Sequence, residues 1–566
     1  MSDPLLETLR ARFGHTEFRG PQRAICEHVV AGGDAFVVMA TGDGKSLCYQ
    51  LPALLRDGLT LVVSPLIALM EDQTTALRAR GIPANCVHSL LERGEREARI
   101  AAALRGELKI LYCTPERFRV PGFLLRIAGA RIALLAIDEA HCLSQWGHDF
   151  RPDYARLGDM RTALGSPPTI ALTATATPAV QADVRKTLRI ESAPLWHTGV
   201  ERKNLFLAVR EVHDKDAKLS RLLAIVERVG GPGIVYCALI KELAALEVEL
   251  KRRGFRPLIY HGDLSASERK EQQACFVSST DALILATNAF GMGVDKPDIR
   301  FIVHWQMPRT LEAYSQEIGR AGRDGKAALC ELLLFAEDLS VQREFTEWAN
   351  PDAAFLARVV DVLAHLGDRV QTFDADALRD VLLQKNRRDG RVDTCLRLLR
   401  TAGCFEGEFH RGSFRWLRTP GSDEIATWLP DDKRERDLRA LLTMLRWCQA
   451  EGCRKRSLHA YFGFEDDFPA GCATCDGELA SDAWLDARLP PSERVPVPCE
   501  TSPPDASGDG DAIQRGDWLD VQGHGLCAVV RVHRTSKGVK VDVERARDLQ
   551  TFSFALGRMR WRKVTS

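Results

Sequence analysis

Ala35-Phe36-Val37-Val38-Met39-Ala40-Thr41-Gly42-Asp43-Gly44-Lys45-Ser46 is the stretch whose reading decides the fold. An apolar run long enough for one buried strand passes directly into a glycine-rich turn and then a helix start. Such a turn wraps backbone N–H groups around phosphate oxygens, and the helix dipole adds positive potential. Gly42 and Gly44 permit close backbone approach, Lys45 can reach the β- and γ-phosphates, and the Ser46 hydroxyl can ligate Mg²⁺. Residues Thr41 to Ser46 therefore read as a loop for the phosphates of ATP. The pattern is the T-G-x-G-K-S core only, because Met39 stands where the longer G-x-x-x-x-G-K-[ST] pattern has its first glycine.

A second strand, Ile132-Ala133-Leu134-Leu135-Ala136-Ile137, ends in Asp138-Glu139-Ala140-His141. An aspartate at the carboxyl end of a buried parallel strand can hold Mg²⁺ beside the phosphate loop, and Glu139 can orient and deprotonate the attacking water. Each motif supplies what the other lacks. Two carboxylates at a strand end could also be an ordinary helix cap, but that reading leaves the loop without a metal partner.

The surrounding pattern is apolar, β-rich runs near 35–40, 59–64, 84–88, 108–113, 132–138 and 168–174, separated by helical stretches. A second series follows near 205–212, 233–237, 256–260, 281–286, 300–305 and 328–335, without a phosphate loop of its own. Near-continuous hydrophobic strands alternating with helices predict parallel sheets covered on both faces. At 566 residues the chain is too long for one core. Lys+Arg and Asp+Glu both number 77, so any nucleic-acid surface must be local. No run of about 18 apolar residues occurs, which excludes a membrane-spanning helix. The first residues lack a signal-peptide pattern, so an intracellular, cytoplasmic protein is expected. Cys113, Cys237, Cys275 and Cys330 sit singly in apolar runs and read as reduced, packed thiols.

Taken in order, Phe13-Gly14, Phe18-Arg19, Gln22, TGDGKSLCYQLPAL, SPLIALMEDQ, TPER, DEAH, ALTATAT, ATNAFGMGVDKPDIRFIVHW and QEIGRAGRDG resemble the RecQ branch of superfamily 2 DNA helicases over about residues 5–335. The resemblance implies two tandem RecA-like domains, 1–202 and 203–348, and an ATP-dependent, DNA-stimulated motor of 3′→5′ polarity working in repair or recombination. It implies an adenine-reading Gln22, with Phe18 and Arg19 beside it. The block Cys142 to Tyr154 is similar to the family's aromatic-rich loop, which implies that Trp146, Phe150 and Arg151 contact single-stranded DNA. Gln316, Arg320 and Arg323, by family position, line the cleft from the second domain, with Arg323 as the arginine finger, Arg320 its partner and Asp295 a link between nucleotide and DNA. A bacterial-type, nucleoid-associated location follows from the same likeness. Departures are the swapped Gly20-Pro21, and Ala40 and Asp43 where the family more often has other residues.

Beyond the motor, helices over 353–366, 375–384 and 391–402 followed by strands around Arg411-Gly412 resemble a winged helix over 349–421, with Arg391, Arg397 and Arg400 facing DNA or solvent. Residues 430–480 are similar to the family's zinc-binding subdomain. Cys453, Cys472 and Cys475 supply three thiolates for tetrahedral Zn²⁺, but Glu478 stands where the fourth cysteine would fall. Cys448 is the expected substitute thiol, with Glu478 competing. Residues 481–514 read as a proline-rich linker. Five short alternating stretches within 515–566 suggest a small SH3-like β-barrel whose basic residues and Trp561 could hold DNA or a protein partner. Two rival functions stand beside the helicase: a DNA-stimulated ATPase that translocates or remodels without strand separation, and a DNA-binding module with a vestigial motor.

Overall fold

The computed structural model describes residues 3–40, 42–120, 122–144, 153–199, 202–291, 294–367, 375–383, 389–407, 414–429, 431–465, 468, 472–488, 518–521, 525–535, 538–545, 551–555 and 561–564. They form two compact units, Met1–Ser492 and Glu493–Ser566.

In the first unit, β1 (Ala35–Val38), β2 (Leu59–Val63), β3 (Ala84–Val87), β4 (Ile110–Cys113), β5 (Ile132–Ile137), β6 (Thr169–Thr173) and β7 (Leu195–His197) make one parallel sheet in the order β3-β4-β2-β5-β6-β1-β7. Alternation along each strand divides its side chains between two cores. Phe36, Val38, Leu59, Leu61 and Val63 face one, while Ala35, Val37, Met39 and Val62 face the other. This two-sided burial is why the strands read as unbroken apolar runs. Six of the seven strands match the sequence expectation. The seventh, β7, is only three residues of mixed polarity after Pro194, too short to stand out.

A second parallel sheet holds β8 (Leu205–Glu211), β9 (Gly233–Tyr236), β10 (Leu258–Tyr260), β11 (Leu283–Ala286), β12 (Phe301–His304) and β13 (Ala328–Leu334), ordered β10-β11-β9-β12-β13-β8. The edge strand β8 does not end the structure. Leu207 donates its N–H to the Thr474 carbonyl at 3.1 Å and accepts from the Asp476 N–H at 3.0 Å, so the cysteine-bearing turn is added to the sheet edge as a bridge.

Helices Ala353–Leu366, Ala375–Leu383 and Arg391–Thr401 precede β14 (Phe405–Glu406) and β15 (Arg415–Trp416), which pair antiparallel. The expected Arg411-Gly412 turn between them lies outside the described residues. These elements share a core built on Phe355, Leu356, Val359, Leu378, Cys395 and Phe405. The helix Asp431–Gln449 follows.

The expected linker from 481 needs correction at its start, because Ser481–Arg488 is a helix. Trp484 is fully buried there, its ring 4.8 Å from that of Phe206, and Asp482 pairs with Arg221 at 2.9 Å. One large aromatic residue and the ion pairs of Asp482 with Arg221 and Arg210 outweigh the polar, proline-rich composition that follows.

The second unit contains β16 (Trp518–Val521), β17 (Gly525–Thr535), β18 (Gly538–Arg545), β19 (Thr551–Ala555) and β20 (Trp561–Val564). They form one antiparallel sheet in the order β19-β18-β17-β16-β20. Among the described residues no pairing joins β19 to β20, so the sheet is established and its closure into a barrel is not.

Candidate functional site

The loop after β1 and the acidic turn after β5 emerge from the carboxyl end of one sheet, separated by β6. Gly42 and Gly44 hold φ values of 95° and 78°, which only glycine adopts without strain, and a Cβ at Gly44 would meet Gln22 Nε2 at 2.5 Å. Ser46 begins the helix Leu47–Leu55. Lys45 Nζ donates to the carbonyls of Met39 at 3.0 Å and Ala40 at 3.3 Å. Burial lowers the Lys45 pKa, with Glu139, Asp138 and Asp43 near enough to oppose that fall.

Asp138 and Glu139 sit side by side at the end of β5, the Glu139 N–H donating to Asp138 Oδ1 at 3.0 Å. Burial, and then the Glu139 charge, push the Asp138 carboxyl up to about 7. Glu139 takes φ 48° and ψ 48°, a left-handed conformation that costs a non-glycine residue on the order of 1 kcal/mol or more. His141 is buried and its Nδ1 lies 2.9 Å from Thr173 Oγ1 at the end of β6. The acidic turn is thereby tied to the Thr173–Thr177 segment, where the Thr175 N–H in turn donates to Thr173 Oγ1 at 3.2 Å.

Gln22 is buried with both ends of its amide engaged. Nε2 donates to the Asp43 carbonyl at 2.9 Å, and Oε1 accepts from the Arg19 N–H at 2.9 Å. Arg19 is exposed, and Phe18 packs at the rim of the core. Thr41, Trp146, Phe150 and Arg151 lie outside the described residues.

From the second sheet comes the turn Gly319–Asp324, following the helix Leu311–Ile318 that carries the half-buried Gln316. Arg323 Nη1 donates to the Val294 carbonyl at 3.0 Å and pairs with Asp295 at 2.8 Å. A Cβ built on Gly42 would lie 3.2 Å from Arg323 Cγ, so this arginine rests on the phosphate loop across the cleft. Arg320 is buried and donates to the Gly291 carbonyl. The buried Nε atoms of Arg320 and Arg323 have no hydrogen-bond partner among the described residues. Burial, and then the Arg320 charge, lower the Arg323 pKa. Two arginines with unused donors, Arg323 over the glycine loop and Arg320 on Gly291, bring positive charge to the cleft that holds Lys45, an arrangement that can take a polyanion.

The cysteine cluster lies apart from this cleft. The Sγ atoms of Cys453, Cys472 and Cys475 stand 3.3, 3.4 and 3.7 Å from one another, close to the ~3.8 Å edge of a tetrahedron with Zn–S bonds of about 2.3 Å. The fourth group within 4.8 Å is the Glu478 carboxylate. Cys448, the thiol expected to complete the set, is instead buried in the core with Leu441, Met444 and Trp447. Positions 441, 444 and 448 share one helix face, a spacing that marks Cys448 as a core residue. Gly477 explains how Glu478 arrives: a Cβ there would fall 1.8 Å from the Gly452 carbonyl oxygen, so the two turns pack backbone to backbone. Glu478 accepts from the N–H groups of Ala473 at 2.7 Å and Cys472 at 3.1 Å, which lowers its pKa.

Comparison with known families matches the DEAD/DEAH box helicase domain to residues 19–184, the helicase conserved C-terminal domain to 214–325 and the RecQ zinc-binding domain to 423–477. The chain is similar to the probable ATP-dependent DNA helicase RecS of Bacillus subtilis, 44% identical over 382 residues, covering 67% of this chain and 76% of RecS. It is 42% identical over 369 residues to the ATP-dependent DNA helicase RecQ of Bacillus subtilis, covering 64% of this chain and 62% of that one. With RecQ of Pasteurella multocida it shares 40% over 332 residues, 59% of this chain and 52% of that one, so the alignment spans about half to three quarters of these relatives. A phosphate loop, an acidic strand end and paired arginines meeting across two parallel sheets agree with those matches, and the chain belongs to the RecQ family of superfamily 2 ATP-dependent DNA helicases.

Proposed function

We propose that the chain couples ATP hydrolysis to 3′→5′ unwinding of duplex DNA. The observation that carries this reading is the approach of Arg323 on the second sheet to Gly42 on the first, with Lys45, Asp138 and Glu139 in the same cleft. Hydrolysis then depends on closure of the two halves, and closure is what moves one half along a bound strand.

Lys45 leaves its two loop carbonyls to meet the β- and γ-phosphates. Asp138 and Ser46 would hold Mg²⁺, and the chemistry the ion would supply is neutralisation of charge developing on the phosphates. The donor set fits a divalent cation, since burial first and the adjacent Glu139 charge second lift Asp138 to about 7, and a bound cation would relieve both. Glu139 takes the proton of the attacking water, and His141 holds the turn against Thr173. Arg323, with Arg320 and Gln316 beside it, meets the γ-phosphate side. Phe18, Arg19 and Gln22 read the adenine after Gln22 exchanges a loop carbonyl for the base edge.

Trp146, Phe150 and Arg151 contact single-stranded DNA beside the acidic turn, which lets DNA occupancy reach the metal-binding carboxylate. Residues 349–421 act as a winged-helix-like DNA contact. The three thiolates of 430–480 hold Zn²⁺ with Glu478 as the fourth ligand, a role its position among them supports. Residues 515–566 form a small SH3-like domain that binds DNA or a protein partner. Among the described residues no helix is long and apolar enough to cross a membrane.

Strand displacement on 3′-tailed, 5′-tailed and blunt duplexes tests the reading. Unwinding of the 3′-tailed substrate alone, absent in Lys45→Ala, is expected. DNA-stimulated ATP turnover without displacement of any strand would overturn it in favour of a translocase.

A further inference from the structure

The cleft contains a third arginine that no motif announces. Arg202 lies on the short crossover between β7 and β8, the segment joining the two halves. Its Nη2 donates to the carbonyls of Gly322 at 2.5 Å and Ala321 at 3.3 Å, the backbone of the turn that carries Arg320 and Arg323. Its Nη1 would lie 3.7 Å from a Cβ on Gly42 of the phosphate loop. One guanidinium therefore touches the finger turn and borders the phosphate loop. Asp43, whose carboxylate accepts from Thr198 Oγ1 at 3.0 Å, is near enough to favour its charged form against burial.

The crossover is itself gripped from the cysteine-bearing region. In the helix Arg454–Tyr461, Lys455 and His459 share one face at i and i+4. The buried Lys455 Nζ donates to the Arg202 carbonyl at 2.8 Å and to Thr474 Oγ1 at 2.7 Å, Thr474 lying between Cys472 and Cys475. His459 is buried against Gly199, where a Cβ would fall 2.6 Å from its Cε1. Gly199 has φ 70° as well, so both its conformation and its contact demand glycine. A continuous set of contacts thus runs from the thiolate turn through Lys455 to Arg202 and on to the turn bearing Arg323.

We infer that Arg202 is a positioning residue for ATP hydrolysis, setting the arginine-finger turn against the phosphate loop, and that Lys455 fixes it to the cysteine-bearing turn. The inference rests on the reading of Arg323 as the residue that meets the γ-phosphate. Its chemistry is simple: a guanidinium presents several donors in a fixed plane, so two carbonyls of one turn can be held in register while the charge faces the nucleotide. Lysine offers a single point charge and should restore only part of the effect.

Steady-state ATPase with saturating single-stranded DNA tests it on the full chain. Arg202→Ala should lower kcat about tenfold or more with the KM for ATP changed far less, the pattern of a lost transition-state contact. Arg202→Lys should recover part of that loss. If Arg202 acts through Arg323, the double variant Arg202→Ala/Arg323→Ala should be no slower than Arg323→Ala alone. Lys455→Met should lower kcat in the same direction while zinc content, measured by atomic emission, stays at the wild-type value. Wild-type kcat in Arg202→Ala, or a full multiplicative loss in the double variant, would overturn the positioning role. Wild-type kcat in Lys455→Met would overturn the latch. A wild-type chain without DNA-stimulated turnover, or an Arg323→Ala variant of normal rate, would instead sink the underlying reading of the cleft.

Discussion

Asp138→Asn should stabilise the metal-free protein at neutral and alkaline pH although it destroys the hydrolytic site. In the folded chain the carboxyl is carried from its ordinary 3.8 to about 7, by burial first and by the Glu139 charge second. Between those limits the folded state holds a proton that the unfolded chain has released, so ν_N exceeds ν_U and stability falls as pH rises. The favourable contribution is complete below about pH 4 and is lost as pH passes through 7. At pH 8 the ionised carboxylate costs the fold up to about 4 kcal/mol. Solvent access to this half-buried group and the nearby Lys45 ammonium reduce that, and about 2 kcal/mol is the working expectation. An asparagine keeps the shape and loses the charge. Thermal melts of both proteins in chelator, from pH 5 to pH 8, provide the assay. The wild-type midpoint should drop across this range relative to the variant, which should melt several degrees higher at pH 8. Added Mg²⁺ and nucleotide should rescue only the wild type. Parallel midpoints at every pH would refute the account of a destabilising carboxylate pair.

Lys45→Ala should abolish ATP hydrolysis while single-stranded DNA affinity, followed by fluorescence anisotropy, stays near wild type; Glu139→Gln should keep nucleotide binding and stall turnover. Near-normal DNA-stimulated rates in either variant would remove these residues from the site. Trp146→Ala should reduce DNA-stimulated ATPase far more than basal ATPase, and an equal fall in both would count against a DNA sensor. Purified protein should contain about one zinc per chain, lost in Cys472→Ser together with folding stability. Glu478→Ala should also release zinc whereas Cys448→Ser should retain it, and the reverse result would restore the buried thiol as ligand.

The sheets were legible because their strands are apolar on both faces, so composition alone marked twelve of the thirteen parallel strands to within about two residues. What failed was short or depended on packing between distant turns. The three-residue β7 gains its place only by lying beside β1, a long-range fact. Helix Ser481–Arg488 is held by Trp484 in a core whose other members lie some 150 to 280 residues earlier in the chain. Softness favours Cys448 as ligand because its sulfur matches the other three, yet ligand chemistry cannot move a side chain off a helix face. Lys45, Asp138 and Glu139 stand out by their glycines and strand end, and Arg323 by the resemblance to the family's motif; the structure brings these residues to one cleft. Arg202 had no such mark: its importance arises from two carbonyls about 120 residues away.

The cysteine-bearing region touches both halves of the motor, but unequally, and the difference says which half carries it. Toward the second sheet it adds two backbone hydrogen bonds to Leu207 and a 2.7 Å bond from the Val209 N–H to the Asp476 carboxylate. Tyr461 Oη also donates to Glu312 Oε1 at 2.6 Å. Toward the first sheet the named contacts are a ring stack of Phe464 on His197 at 4.2 Å and a 3.2 Å hydrogen bond from Gln181 Nε2 to the Phe462 carbonyl. A stack contributes roughly 0.5–1.5 kcal/mol and a neutral hydrogen bond about 1 kcal/mol. Several backbone and charge-assisted bonds on the other side exceed that sum. When the cleft opens, the Phe464 and Gln181 contacts are therefore the ones to part. The crossover at Arg202, held by Lys455, should then travel with the second half, so that the arginine turn leaves the phosphate loop as one piece.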